Sequence, residues 1–251
     1  MDPGRAGSGP DLTDPGPSLS VVIPAYNEGE NIVPLLERLD REVHTSPLEV
    51  LIVYDFAEDT TVPVVERLRP VYPNVRLVLN RYGRGALNAL RTGLLDARAP
   101  YVLVTMADLS DDLRDVEAMY QLARGGADVV AGSRYMRGGG QHGGPLVKRT
   151  LSRAAGLSLH YLGGVATHDP TNNFKLYSQR LLRAVEIEST GGFELALELT
   201  VKAHLAGFRI AEVPTHWSDR TAGQSRFQLR RWLPHYLRWY RKAMVSRTPF
   251  A

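Results

Sequence analysis

The side chains able to do chemistry in this 251-residue chain are carboxylates and arginines. There is no cysteine, which excludes a disulfide framework, a thiolate nucleophile and a cysteine-based metal site. His142, His168 and His216 are scattered without zinc-ligand spacing, and His168, beside Asp169, is expected to be structural or orienting. The polar residues of interest come at or just after short apolar runs. They are Tyr26, Asn27 and Glu28; Asp55 and Asp59; Asp108; and Ser133 with Arg134. Arginine supplies 26 of the 30 basic residues, and its forked donors suit phosphate oxygens. Arg134 follows a strand-like run, and Arg220 and Arg226 flank the flexible TAGQS segment. The competing reading is ordinary surface charge, and it weighs more heavily on Lys148 and Arg149.

These residues need elements to position them. Leu19–Pro24, Leu48–Tyr54, 75–80, 101–106 and 127–134 read as buried strands, and 209–214 resembles another. Helical spacing is expected over 27–42, 61–69, 85–98 and 113–123, and later over 146–162. Asn27 or Glu28 is a candidate cap for the first helix. Alternating strands and helices give an α/β fold with a Rossmann-like, mostly parallel sheet flanked by helices. Such sheets bind ligands outside the carboxyl ends of their strands, where the polar residues fall. The Gly-rich segment 138–144 reads as a flexible loop.

Composition adds bounds. Hydrophobic residues make up 43% and charged residues 23%, enough for a substantial core. Residues 1–18 are rich in Gly, Pro and Asp and read as a disordered tail without signal-peptide character. No stretch of 18 uncharged apolar residues exists. From Arg220 onward there are eight Lys/Arg and no acid, so the first 219 residues hold 22 bases against 27 acids. A basic tail suits a phosphate-bearing ligand, an anionic membrane surface or nucleic acid. Its last segment, 227–244, places Leu229, Trp232, Leu233, Tyr236, Tyr240 and Met244 on one face of a basic amphipathic helix. That helix is expected to lie on a bilayer or to pack against the body or a dimer partner, and Pro234 must start, kink or break it.

The ordered motifs VVIPAYNEGENI (21–32), RGALNALRTGL (84–94), MADLSDD (106–112), VVAGSRY (129–135), DPTNNFKLYS (169–178) and FRIAEVPTHWSDRTAGQSRF (208–227) resemble family 2 glycosyltransferases of the GT-A fold. The set is similar to the branch of dolichol-phosphate and polyprenyl-phosphate mannosyl- and glucosyltransferases. The resemblance implies an enzyme domain over 19–226, followed by a basic helical tail over 227–251. It implies that Pro24, Tyr26, Glu28, Asp55, Ala107, Asp108 and Arg134 bind a nucleoside diphosphate sugar of the GDP-mannose or UDP-glucose type. Asp108 is then the ligand for Mg²⁺ or Mn²⁺, and Asp108, Arg220 and Arg226 offset charge on the departing diphosphate. Lys148, Arg149, Asp169, Glu198 and Ser225 fall to the acceptor or its phosphate.

The chain departs from the family pattern at Tyr54, Ala57 and Met106. Met106 stands where the first Asp of Asp-x-Asp is usual, and a thioether does not bind a hard cation. This leaves a metal-independent mode open beside the metal-assisted one. Asp111 and Asp112 are expected mainly to start the next helix. Leu195 and Ala196 stand where hydroxyl-directed members carry a Glu-Asp pair, which points to a phosphate acceptor. The expected partners are a polyprenyl phosphate and a peripheral membrane surface on the cytoplasmic face, with no nucleic acid; a homo-oligomer is left open. Rival readings are a transferase with a soluble acceptor, a nucleotidyltransferase and a non-catalytic nucleotide-sugar-binding protein.

Overall fold

The computed structural model describes residues 16–219 and 229–245. Residues 1–15 of the expected tail lie outside the described residues, while Ser18 is already tied to the body through its N–H to the Pro47 carbonyl.

A seven-stranded sheet forms the centre, in the order β3-β2-β1-β4-β7-β5-β8. Its strands are β1 (Leu19–Pro24), β2 (Leu48–Tyr54), β3 (Val75–Leu79), β4 (Tyr101–Val104), β5 (Val129–Ser133), β7 (Lys175–Ser178) and β8 (Ile210–Pro214). All are parallel to their neighbours except β7, which runs antiparallel between β4 and β5. β1 is buried along its whole length, as its largely apolar run requires, and its one hydroxyl, Ser20 Oγ, donates to Glu49 Oε2 at 2.6 Å. Val21 and Ile23 face one core, with Leu35, Leu36 and Leu39 of α1 (Ile32–Glu42). Val22 faces the other, with Leu87, Leu90 and Leu94 of α3 (Ala86–Asp96). α3 lies so close to the sheet that a Cβ on Gly93 would come within 2.3 Å of Val22 Cγ1. Two further helices flank the sheet here, α2 (Thr61–Leu68) and α4 (Val116–Arg124).

The second half departs further from expectation. Part of the Gly-rich loop is a strand, β6 (Gly140–His142), paired in parallel with β9 (His216–Ser218). Asn27 and Glu28 make no side-chain cap; a 3₁₀ turn at Gly29–Asn31 leads into α1, and Asn27 is left-handed at φ 52°. α5 (Leu146–Tyr161) matches the expected helix, and a short α6 (Gln179–Ala184) follows β7. α7 (Leu195–Leu205) is almost wholly buried, including Glu198. A helix buried all round shows no amphipathic stripe, so the sequence does not announce it.

The tail helix α8 (Leu229–Val245) runs through Pro234 and packs on the body. Trp239 and Ala243 are each 1% exposed against Leu159 of α5 and Leu197 and Val201 of α7, with Tyr236, Tyr240 and Met244 alongside. The expected aromatic seam is therefore split. Its Tyr236–Met244 portion belongs to the core, while Leu233 stays exposed together with Leu237. Polar contacts fix the docking. Trp239 Nε1 donates to Ser189 Oγ at 3.1 Å, Tyr236 Oη to the Phe193 carbonyl at 2.9 Å, and Arg238 pairs with Glu188 at 2.6 Å.

Truncating Trp239 leaves a cavity between three helices. Trp239→Ala is expected to lower stability by about 3–5 kcal/mol, measured by urea denaturation. A loss below about 1 kcal/mol would mean that α8 is not docked in this way.

Candidate active site

The carboxyl ends of β1, β2, β4 and β5 form one rim, and β1 to β4 is the point where the strand order reverses. At the β1 end, Pro24 leads into the turn carrying Tyr26, Asn27 and Glu28. Asp59 holds that turn. Its carboxylate accepts from Asn27 N at 3.0 Å and Thr61 N at 2.8 Å, and Thr61 Oγ1 accepts from Glu28 N at 3.0 Å. Asp59 is 0% exposed and is a latch rather than a ligand. Asp55 works similarly at the β2 end, accepting from Asn80 Nδ2 at 2.8 Å and Gly85 N at 2.9 Å. It pins the loop between β3 and α3.

The β4 end carries the central carboxylates. Leu109 is left-handed at φ 61°, which folds the chain back on the strand. Asp108 is half-buried and accepts from Ser110 N at 3.2 Å. Ala107 is buried beside it. Asp112 accepts from Arg114 N and caps the 3₁₀ turn at Leu113–Asp115, as expected. Asp111 does something else. It is buried and turned back, and its Oδ2 accepts from Thr105 Oγ1 at 2.9 Å and from Met106 N at 3.2 Å. Burial, with the Asp108 charge adding to it, pushes the Asp111 carboxyl up to about 6. The sequence signal that could have found it is Met106 itself: the strand end lacks one carboxylate, and another returns to it three residues after Asp108.

A divalent cation fits here only in one manner. Among the described residues no three His, Asp or Glu side chains surround a common point. Asp108, with Asp111 near enough to feel its charge, offers one or two carboxylates. That is the usual protein contribution to Mg²⁺ shared with a diphosphate, and it does not make an all-protein cage.

At the β5 end Arg134 and Asp169 come together. The guanidinium is bidentate to the carboxylate, Nε to Oδ2 at 2.6 Å and Nη2 to Oδ1 at 3.0 Å. Asp169 is fully buried and also accepts from Thr171 Oγ1 and Asn172 N. Burial works against its charge, yet Arg134 holds its carboxyl below the ordinary value. Beneath the pair, Lys175 Nζ donates to the carbonyls of Asp169 and Asn172, and burial pulls its ammonium down to about 7. The expected phosphate ligand Arg134 and acceptor residue Asp169 are thus each other's partners.

Glu198 requires a correction. It is 0% exposed, accepts from Glu188 N at 2.6 Å and Ser189 N at 2.9 Å, and pairs with Lys202. Its carboxylate supports the 188–189 backbone and is closed to an acceptor. Lys148 and Arg149 lie in the first turn of α5. His168 pairs with Glu212 at 2.5 Å and stacks on His160, an orienting role as expected. Arg220, Ser225 and Arg226 lie outside the described residues.

Comparison with known proteins agrees with this layout. The family model described as "Glycosyl transferase family 2" matches residues 20–185. Polyprenol monophosphomannose synthase of Mycolicibacterium smegmatis is 31% identical over 228 residues, covering 88% of this chain and 85% of that protein. Dolichol-phosphate mannosyltransferase of Pyrococcus furiosus is 26% identical over 216 residues, covering 84% of this chain and 59% of that protein. In fold, the chain is similar to a mannosyltransferase from Pyrobaculum calidifontis in complex with GDP-Man and Mn²⁺, with a TM-score of 0.61 and 23% identity over 88% of this chain and 62% of that one. Glucosyl-3-phosphoglycerate synthase from Mycobacterium tuberculosis in complex with Mn²⁺, UDP and glucosyl-3-phosphoglycerate gives a TM-score of 0.61 at 18% identity, covering 92% of this chain and 78% of that one.

The buried Asp111 carries a pH signature. Its folded value lies above its unfolded one, so its contribution to stability is complete below about pH 4 and is lost as pH rises through about 6. Asp111→Asn keeps an acceptor for Thr105 and Met106 but removes the buried charge. In metal-free thermal melts the variant is expected to exceed the parent by roughly 2–3 kcal/mol at pH 8, converging with it at pH 4. A difference that stays constant between these pH values would contradict the assignment.

Proposed function

The chain belongs to glycosyl transferase family 2, and from that premise we propose that it moves a hexose from a nucleoside diphosphate sugar to the phosphate of a polyprenyl lipid. The observation that carries the acceptor assignment is the state of α7. Transfer to a sugar hydroxyl needs a general base within hydrogen-bond reach. Leu195 and Ala196 are apolar and buried. Glu194 is closed on the amides of Gly191 and Gly192 at 2.8 Å each, and Glu198 on those of Glu188 and Ser189. A phosphate acceptor is anionic at neutral pH and needs no base. Two relatives, a polyprenol monophosphomannose synthase and a dolichol-phosphate mannosyltransferase, support the same acceptor class.

The donor lies across the strand ends, its nucleoside on Pro24, Tyr26, Glu28 and the Asp55 loop and its diphosphate beside Ala107 and Asp108. Asp108 would hold Mg²⁺ or Mn²⁺, which when bound would supply positive charge to the diphosphate, and Arg220 and Arg226 add donors to the leaving group. A lipid-phosphate oxygen forms the new bond to the anomeric carbon as the carbon–oxygen bond to the diphosphate breaks. In-line displacement inverts that carbon.

The lipid arrives along α5 and α8. Leu146, Val147 and Leu151 on α5 and Leu233 and Leu237 on α8 are exposed. The two helices are joined through Ser158 and Tyr240, whose hydroxyls lie 2.9 Å apart. Lys148, Arg149, Arg238, Arg241 and Lys242 belong to the same helices. Apolar side chains among basic ones suit an anionic membrane surface, on the cytoplasmic side in this reading. No helix among the described residues is long and apolar enough to cross a membrane.

The test is transfer from labelled GDP-mannose and UDP-glucose to polyprenyl phosphate in anionic vesicles, beside a sugar-alcohol acceptor. The expected product is the lipid-linked sugar, with activity lost on chelation and at least about 100-fold lower in Asp108→Asn. Leu233→Ser with Leu237→Ser is expected to weaken vesicle co-sedimentation and leave the melting temperature unchanged. Robust transfer to the sugar alcohol with none to the lipid would refute the acceptor assignment. Turnover with neither acceptor would favour a non-catalytic binder.

A further inference from the structure

Three side chains on the β1–β2 side of the rim come together: Phe56, Tyr26 and Arg84. Phe56, half-buried, follows β2 directly after Asp55. The Tyr26 ring meets it edge to face, with centroids 5.6 Å apart and planes at 72°. The Arg84 guanidinium carbon lies 4.7 Å from the Phe56 centroid, over the ring face. Arg84 is exposed, so its charge covers an aromatic face that would otherwise meet water.

The backbone beneath them is fixed. Arg84 sits between Gly83 at φ 89° and Gly85 at φ 123°, conformations that other residues rarely adopt. Asn80 Nδ2 donates to the Gly83 carbonyl at 2.7 Å, and Gly85 N donates to Asp55 at 2.9 Å. On the other side, Asp59 N donates to the Phe56 carbonyl at 3.1 Å, and the same residue's carboxylate fixes the Asn27–Thr61 turn. Two carboxylates thus set a flat aromatic, its aromatic neighbour and a guanidinium in one place, while the side chains themselves keep an open side.

The location matters as much as the chemistry. β2 and β4 flank β1, so the strands that lead to Phe56 and to Asp108 run two strand spacings apart, roughly 10 Å. A ligand whose diphosphate lies at Asp108 and which extends over β1 brings its other end to Phe56. Planar π-systems stack on aromatic rings and on guanidinium planes whatever their hydrogen-bonding edges.

Building on the donor assignment made above, we infer that Phe56 and Arg84, with Tyr26 behind them, are the stacking platform for the donor's nucleobase. Arg84 covers the Phe56 face in the free protein and becomes the outer wall of the base site when nucleotide is bound. The platform supplies affinity for the nucleoside half and none for the diphosphate. Phe56 lies between Tyr54 and Ala57, the two positions of this run where the chain departs from the family's polar pattern, and the platform offers the base an apolar hold there.

The experiment is calorimetric titration of the full chain with GDP, UDP and pyrophosphate in Mn²⁺, for the parent and for Phe56→Ala, Phe56→Tyr, Arg84→Ala and Arg84→Lys. Phe56→Ala is expected to weaken GDP and UDP by about fivefold to a hundredfold, the range that one base–aromatic stack contributes. Arg84→Ala acts in the same direction, Phe56→Tyr stays within about twofold of the parent, and Arg84→Lys falls between. Pyrophosphate binds all five proteins alike. In turnover the donor KM rises for Phe56→Ala while kcat holds, the pattern of lost ground-state binding. Parent-like nucleotide affinity in both alanine variants would overturn the platform, as would an equal loss of pyrophosphate. If the parent binds none of the three, the donor assignment falls and the platform with it; nucleotide binding by the parent keeps the two questions separate.

Discussion

The ion pair between Arg134 and Asp169 is the constraint on which the second half of the molecule is built. It joins the end of β5 to the segment that leads into β7, and Lys175, the first residue of β7, completes it from below. Burying such charges costs several kcal/mol each unless they are paired and hydrogen-bonded. Here the guanidinium is bidentate, the carboxylate also takes three further donors, Arg134 N, Thr171 Oγ1 and Asn172 N, and the ammonium sits on two carbonyls. The antiparallel strand is thereby seated between β4 and β5, with Lys175 opposite Val104 and Ala131. The segment from Asp169 to Phe174 is thereby fixed against the end of β5, where Asn172 Nδ2 donates to the Gly132 carbonyl at 2.9 Å.

The same device recurs wherever the chain must hold a turn at the site. Asp59, Asp55, Glu194 and Glu198 each accept backbone amide donors. An ionised carboxylate is a strong acceptor and stabilises otherwise unpaired amides at strand ends and helix starts. Asp55 and Asp59 stand out in the sequence because acids at strand ends are often ligands. Burial sets three of the four apart: Asp59, Glu194 and Glu198 are 0% exposed, whereas Asp55 and Asp108 are half-buried at the rim.

Much of the first half was legible in the sequence. β1 and β2 have the expected limits, and β3, β4 and the first helices differ at their ends, because parallel strands buried on both faces leave unbroken apolar runs. The second half was less legible for physical reasons. β7 is four residues long and opens on a buried lysine, and α7 has no polar face. The tail helix was recognisable as amphipathic, but which edge faces the body depends on pockets between α5 and α7 that no local pattern encodes. Asp108 was found through its motif. Asp111 was read with Asp112 as a helix start, since nothing local announces that Leu109 turns left-handed and sends it back to the strand. Phe56 and Arg84 are 28 residues apart in the chain, and their meeting follows only from the turn that Asp55 and Gly85 share.

The central claim is positional: a nucleoside diphosphate lies across the carboxyl ends of β2, β1 and β4, from Phe56 to Asp108. Amide hydrogen exchange, compared with and without saturating nucleoside diphosphate and Mn²⁺, tests this directly. Added protection is expected in peptides holding Tyr26–Glu28, 55–57 and 107–111, with little change at the opposite end of the sheet around Leu48 and Tyr101. Protection confined to that opposite end, or none at the three turns under conditions where binding is saturated, would contradict the account.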